Sequence, residues 1–284
     1  MSYSDKKKSP SNQVDVVLSS SGVRVPCFVG GLKAIEDKGY EIQRIAGTSG
    51  GAIVAAGHSL GMTTDEMLEI TKDIPYDSFR DFRFRNLLSA KNPSVYTGKG
   101  LDDFYKRLFD GAQLKDFQKD CYISVVTILG RNRIVLSKNT HPNLPVWEAV
   151  RMSSTIPFIF PYHELDGIPV TDGGLVTGIF DIFPDSQRVT VALRPKADHL
   201  LKRVVQDVQA DSMFLWNYLK ILAEYFLDAV DNQHVSQGEW EKTVMIPTFD
   251  IGGFSFNVSP EEVQKLVKSG YNAVMDSTVL PSVL

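Results

Sequence analysis

Two serines occupy the pattern G-x-S-x-G: Ser49 in Gly47-Thr48-Ser49-Gly50-Gly51 and Ser59 in Gly57-His58-Ser59-Leu60-Gly61. A serine so placed can attack a carbonyl carbon if three conditions hold. A strand must deliver it to a tight turn, glycines must clear that turn, and a helix must begin at once so that its N-terminal dipole faces the oxygen becoming negative. Ser49 meets all three, with EIQRIA (41–46) reading as a strand before it and AIVAAGHSL (52–60) as a helix behind it. Ser59 fits less well. Gly61 and Thr63/Thr64 read as the stop of one helix and the cap of the next, and a strand at GAIVAA would leave almost no room for a crossover from EIQRIA.

A serine nucleophile needs a base. The five histidines, His58, His141, His163, His199 and His234, fall in no segment that reads as a catalytic loop; His141 and His163 lie in polar turns. Asp172, in Val170-Thr171-Asp172-Gly173-Gly174, follows a short apolar strand and precedes paired glycines that allow close backbone approach. An exposed aspartate, with a pKa of about 3.9, is a poor base, whereas burial beside a hydroxyl and away from cations raises it. A Ser/Asp dyad is therefore physically possible. By itself the Asp-Gly-Gly run also fits an ordinary turn.

Stepping along the chain, residues 14–20 read as a buried strand entering a loop, and 26–38 as a helix with Pro26 in its first turn and Gly39 as its stop. With 41–46 and 52–60 this makes β-loop-α-β-loop-α, the pattern of a parallel sheet in an α/β fold. Helices are expected from Thr63/Thr64, over 100–109, 145–153 and 210–231, and from Ser259 to about Met275; strands over 121–129, 133–137, 189–193 and 244–251. Two prolines keep 155–161 from being helical.

The chain has 284 residues, 43% hydrophobic, with Lys+Arg 30 against Asp+Glu 34 and a net charge of −4. That length supports a sizeable core, and the charge excludes nucleic-acid binding through global positive charge. Cys27 and Cys121 form neither a disulfide framework nor a zinc-spaced cluster, so no metal is expected and a reducing, cytoplasmic setting is the default. Residues 1–13 read as a flexible polar tail with no apolar stretch of a secretory signal, and 14–284 as a single domain without a membrane-spanning run. Export without a cleavable signal stays open.

Four blocks in order resemble the patatin-like phospholipases: PCFVGGLKAIEDKGY, GTSGG, RMSSTIPFIFP and TDGGL. The strand VMIPTFDI and the Ser-Pro-Glu-Glu helix start are also similar, so the resemblance runs from about Val14 to Met275. It implies a three-layer α/β/α sandwich with a mostly parallel central sheet, in which Ser49 attacks a carboxylic ester and Asp172 is the base, with no cofactor. Gly47, Gly50, Gly51, Gly173 and Gly174 are the matching motif glycines. The implied substrates are acyl esters of phospholipids, lysophospholipids or neutral glycerolipids.

The chain departs from the family in two places. The oxyanion loop, glycine-rich in the family, aligns with Ser20-Ser21-Gly22-Val23-Arg24-Val25, leaving backbone N–H groups at Gly22 and Val23 as donors and Arg24 as a phosphate-neutralising, loop-holding or surface residue. Serines resist positive φ, so a differently shaped loop and weak or activator-dependent activity are consistent with it. The Asn and Pro usual after Asp-Gly-Gly are replaced by LVTGIFDIFP. Residues 79–91, which interleave Phe79, Phe82, Phe84, Leu87 and Leu88 with Arg80, Arg83, Arg85 and Lys91, suggest peripheral docking on anionic membrane or a helix burying its phenylalanines in the core. Two other readings stand beside the lipid acyl hydrolase: a Ser59 hydrolase or acyltransferase using His141 or His163, and a weakened member that binds lipid or a partner protein.

Overall fold

The computed structural model describes residues 12–83, 86, 89, 91–175, 180–183, 188–197 and 237–283. The helix expected over 210–231, most of the N-terminal tail, and residues 176–179 after the Asp-Gly-Gly motif lie outside these.

Among the described residues eight strands form one sheet: β1 (Gln13–Leu18), β2 (Glu41–Gly47), β3 (Asp120–Thr127), β4 (Arg133–Leu136), β5 (His163–Leu165), β6 (Ile168–Asp172), β7 (Val189–Lys196) and β8 (Thr243–Pro247). Their order is β5-β6-β3-β2-β1-β7-β8, with β4 also on β3. The run β3-β2-β1-β7-β8 is parallel and β4, β5 and β6 are antiparallel additions, so the expected mostly parallel α/β sheet is present. Central strands covered on both faces read as continuous apolar runs, which is why VDVVL carries no alternation. Its one charge, Asp15, is fully buried and held by Arg44 at 2.6 Å and Arg188 at 3.0 Å.

Among the described residues the α-helices are α1 (Pro26–Asp37), α2 (Gly50–Ser59), α3 (Thr64–Lys72), α4 (Lys99–Phe109), α5 (Val146–Ser153) and α6 (Pro260–Met275), besides a one-turn helix Gln237–Trp240. Local chemistry sets their ends. Pro26 opens α1, Gly39 at φ 88° follows it, and Thr63–Glu66 and Ser259–Glu262 close capping boxes on α3 and α6. α1 packs on α6, while α2 lies over β2 and β3 beside α5. On the sheet's other face Val17, Ala46 and Ala192 meet Ile182 and Phe183.

Three expectations change. β7 continues to Lys196 because Arg194, Pro195 and Lys196 still pair with β8, and β8 ends at Pro247, where the Thr248 N–H takes the Lys196 carbonyl and the chain turns out of the sheet. The β5–β6 hairpin was read as a turn and a single strand; a three-residue strand is too short to show a period. Of residues 79–91, Phe84, Arg85, Leu87, Leu88 and Ala90 lie outside the described residues, and those described at the start of the segment do not continue a helix. Phe79 closes a single 3₁₀ turn (Tyr76–Phe79) and is buried, whereas Arg80, Phe82 and Arg83 are exposed.

Candidate active site

β2 ends at Gly47, opposite Ile123 of β3, and the chain reverses through Thr48 and Ser49 into α2. Ser49 has φ 55° and ψ −123°, a conformation that costs a non-glycine residue about 1–3 kcal/mol and persists only where its surroundings impose it. Those surroundings are backbone. A Cβ on Gly50 would strike the Ser21 hydroxyl and the Gly22 carbonyl, and one on Gly51 the carbonyls of Leu18 and Ser19. The glycines thus let the elbow press against the loop after β1 and leave Ser49 at the N-terminus of α2.

Asp172 arrives from the other side. β6 pairs with β3 so that Asp172 faces Val125, two residues along from the partner of Gly47. Two inter-strand spacings separate β2 from β6, about 10 Å of backbone, which inward-turning loops must close. The Ser49 N–H donates to Ser153 Oγ at 3.0 Å, and that hydroxyl donates to the Ser124 carbonyl at 2.7 Å, against which Gly173 packs without room for a Cβ. Asp172 is fully buried; its N–H donates to the Thr155 carbonyl at 2.8 Å, and its Oδ1 accepts from the Gly174 N–H at 2.7 Å. Arg151, itself fully buried on Asp102 at 2.7 Å, donates to Thr155 Oγ1 at 2.7 Å. The RMSST block therefore fixes both arms: Ser153 holds the serine turn, and Thr155, steadied by Arg151, holds the aspartate strand. The sequence showed that block as small residues without indicating these contacts.

The loop after β1 forms a 3₁₀ turn, Gly22–Arg24. Ser20 and Ser21 avoid positive φ; only Gly22 takes it, at 56°, with its Cα against the Gly253 carbonyl. The expected donor Val23 is already engaged in this structure, because its N–H donates to Gly253 O at 2.9 Å. Among the described residues the N–H groups of Gly22 and Gly50 take no acceptor, and both residues line one cavity with Ser49. Gly50, which the sequence marks as a motif glycine, thus carries an N–H without an acceptor beside Ser49. Arg24 holds the loop, through Nε to Ser21 O at 2.8 Å and Nη1 to Thr248 Oγ1 at 3.4 Å.

That cavity has about 850 Å³ of empty space, part of it open to solvent. Three helices wall it with the same spacing, i, i+3, i+4, i+7. These are Gly50, Ile53, Val54 and Gly57 on α2; Met67, Ile70 and Thr71, with Ile74 just past the end, on α3; and Leu101, Phe104, Tyr105 and Leu108 on α4. Phe79, Phe160, Phe254 and Phe256 complete it. Its other hydroxyls are tied back to protein: Thr71 to Leu68 O at 2.7 Å, Tyr76 to Val23 O at 3.1 Å, Tyr105 to Ser154 Oγ at 3.4 Å, and Ser154 to Val150 O at 2.9 Å. Burial pushes the Tyr105 phenol up to about 12, so it stays neutral. Ser49 Oγ is the one lining hydroxyl with no hydrogen-bond partner among the described residues.

The competing residues are placed differently. Ser59 is fully buried in the last turn of α2, and burial, with Lys119 nearby, lowers the His58 imidazole to about 4. His163 is likewise lowered to about 4 by burial and Arg151, and His141 hydrogen-bonds Thr140 on an exposed turn. Both thiols are buried and pushed up to about 12, which makes them poor nucleophiles. Among the described residues no group of three or more His, Cys, Asp or Glu could hold a metal ion, and no helix is long and apolar enough to cross a membrane.

The patatin-like phospholipase profile matches residues 16–181, more than half of the chain. The protein YqhO of Bacillus subtilis is 25% identical over 284 residues, covering 90% of this chain and 95% of its own. Lysophospholipase NTE1 of Pyricularia oryzae is 25% identical over 166 residues, 58% of this chain but 11% of its own length. VipD of Legionella pneumophila superposes with a TM-score of 0.58 at 17% identity, over 94% of this chain and 66% of that one, and shares the fold.

Proposed function

The chain belongs to the patatin-like phospholipase family of lipid ester hydrolases, and from that membership we propose that it hydrolyses an acyl ester of a glycerophospholipid or lysophospholipid, with Ser49 as nucleophile and Asp172 as base. Ser49 Oγ attacks the ester carbonyl carbon as its proton passes to the Asp172 carboxylate, and the oxyanion takes hydrogen bonds from the Gly22 and Gly50 N–H groups. Collapse expels the alcohol, which recovers the proton from Asp172 and leaves an acyl group on Ser49. Asp172 then draws a proton from water, whose oxygen attacks the acyl carbon, and the fatty acid departs as Ser49 regains its hydroxyl. The mechanism requires the Ser49 hydroxyl and the Asp172 carboxylate to stand within hydrogen-bond reach when the ester is bound.

The observation that carries this reading is the isolation of the Ser49 hydroxyl, unpartnered at the polar end of a cavity otherwise lined by hydrocarbon and tied-off groups. The lysophospholipase NTE1 match supports the substrate class. Incubating a phospholipid and lysophospholipid mixture with wild type, Ser49→Ala and Asp172→Asn, and profiling products by mass spectrometry, tests it. Release of free fatty acid by wild type, reduced on the order of 10⁴-fold by either substitution, is the expected result. No release from any lipid, with binding retained in Ser49→Ala, would favour the lipid-binding reading instead.

A further inference from the structure

We infer that the cavity measures acyl length, that Gly57 with the thioethers of Met62 and Met67 forms its far wall, and that it is sized for a medium-chain acyl group. The inference depends on Ser49 marking the carbonyl end. On α2 the lining stripe starts at Gly50, beside that hydroxyl, and ends at Gly57. Seven residues of helix rise about 10 Å. At Gly57 a Cβ would lie 3.2 Å from Met62 Sδ and 3.5 Å from Met67 Sδ, so the missing side chain is what keeps the stripe open up to the two sulfurs. An extended polypeptide advances about 3.6 Å over three backbone bonds, roughly 1.2 Å per bond, and a tail of about 10 Å therefore has about eight bonds. Octanoyl and decanoyl groups match that length. A palmitoyl tail must push the wall outward, and unbranched methionines resist less than branched residues would.

The experiment compares kcat/KM for the p-nitrophenyl esters of acetate, butyrate, octanoate, decanoate, laurate and palmitate. A buried methylene gains roughly fourfold. Wild type should climb by about that factor per methylene up to octanoate or decanoate and then level off or fall. Gly57→Leu should lower the decanoate-to-acetate ratio at least tenfold, and Met67→Ala should move the break toward laurate and palmitate. A steady rise through palmitate, or a Gly57→Leu loss that is equal for acetate and decanoate, would overturn the inference. Displacement of bound anilinonaphthalene sulfonate by free fatty acids of the same lengths, in wild type, Met62→Ala and Met67→Ala, reads the same wall without turnover and without relying on Gly57→Leu folding. Absent turnover with a length break in displacement removes the nucleophile reading and keeps the gauge; turnover with no break in either assay removes the gauge alone.

Discussion

Ser49 and Ser59 stand at opposite ends of one ten-residue helix, in the same five-residue pattern, and burial does not distinguish them: 3% of one and none of the other is exposed. Backbone and neighbours do. Ser49 precedes α2 at positive φ and lines the cavity, at the helix end where N–H groups lack intrahelical acceptors and the dipole is positive. Ser59 lies in the last turn, where carbonyls emerge; the carbonyl of Ser59 itself accepts the Gln118 N–H at 2.8 Å. The same G-x-S-x-G string thus meets different surroundings at the two ends of one helix, which is the ground for proposing Ser49 as the nucleophile.

The sharpest way to break this contrast is covalent labelling. A fluorophosphonate probe should mark wild type and Ser59→Ala alike and leave Ser49→Ala unmarked; labelling that follows Ser59 would reverse the assignment. A smaller effect is expected at the elbow. Gly50→Ala brings a methyl against the Ser21 hydroxyl and the Gly22 carbonyl, moving both proposed oxyanion donors, and should cost about 10²-fold in kcat. An unchanged kcat would mean that these N–H groups do not face the reaction.

The smallest effect belongs to the Ser59 end and is one of stability. His58 is neutral in folded and unfolded chains above its ordinary pKa of about 6.5. Between that value and about 4 the unfolded chain binds a proton that the buried ring refuses, so stability falls as pH falls through this window. The loss is on the order of 3 kcal/mol by pH 4, and His58→Gln should flatten the fall in midpoint denaturant concentration between pH 7 and pH 4. An unaltered slope would show that His58 does not govern it.

Much of this was legible in the chain. Pro26, Gly39, the Thr63–Glu66 and Ser259–Glu262 boxes and the strand before Ser49 act over a few residues, so their elements emerge close to expectation. The β5–β6 hairpin was missed because three residues show no period, and Phe79 was read with the arginines beside it although its ring packs on Phe104 and Phe256. Val23 looked available as a donor because Gly253, which engages it, lies 230 residues further along the chain.

By itself the sequence determined the alternation of strands and helices and the tight turn at Ser49 between them, since these depend on local backbone preference, and motif order is what proposes Ser49 over Ser59 and Asp172 as its base. The tertiary structure alone decided that Ser153 and Thr155 brace the two arms, that Gly22 and Gly50 keep open N–H groups while Val23 does not, and that stripes from three helices enclose one apolar cavity. Such features depend on which segments meet across the sheet and at what separation, and contacts between residues distant in sequence leave no local pattern in the chain.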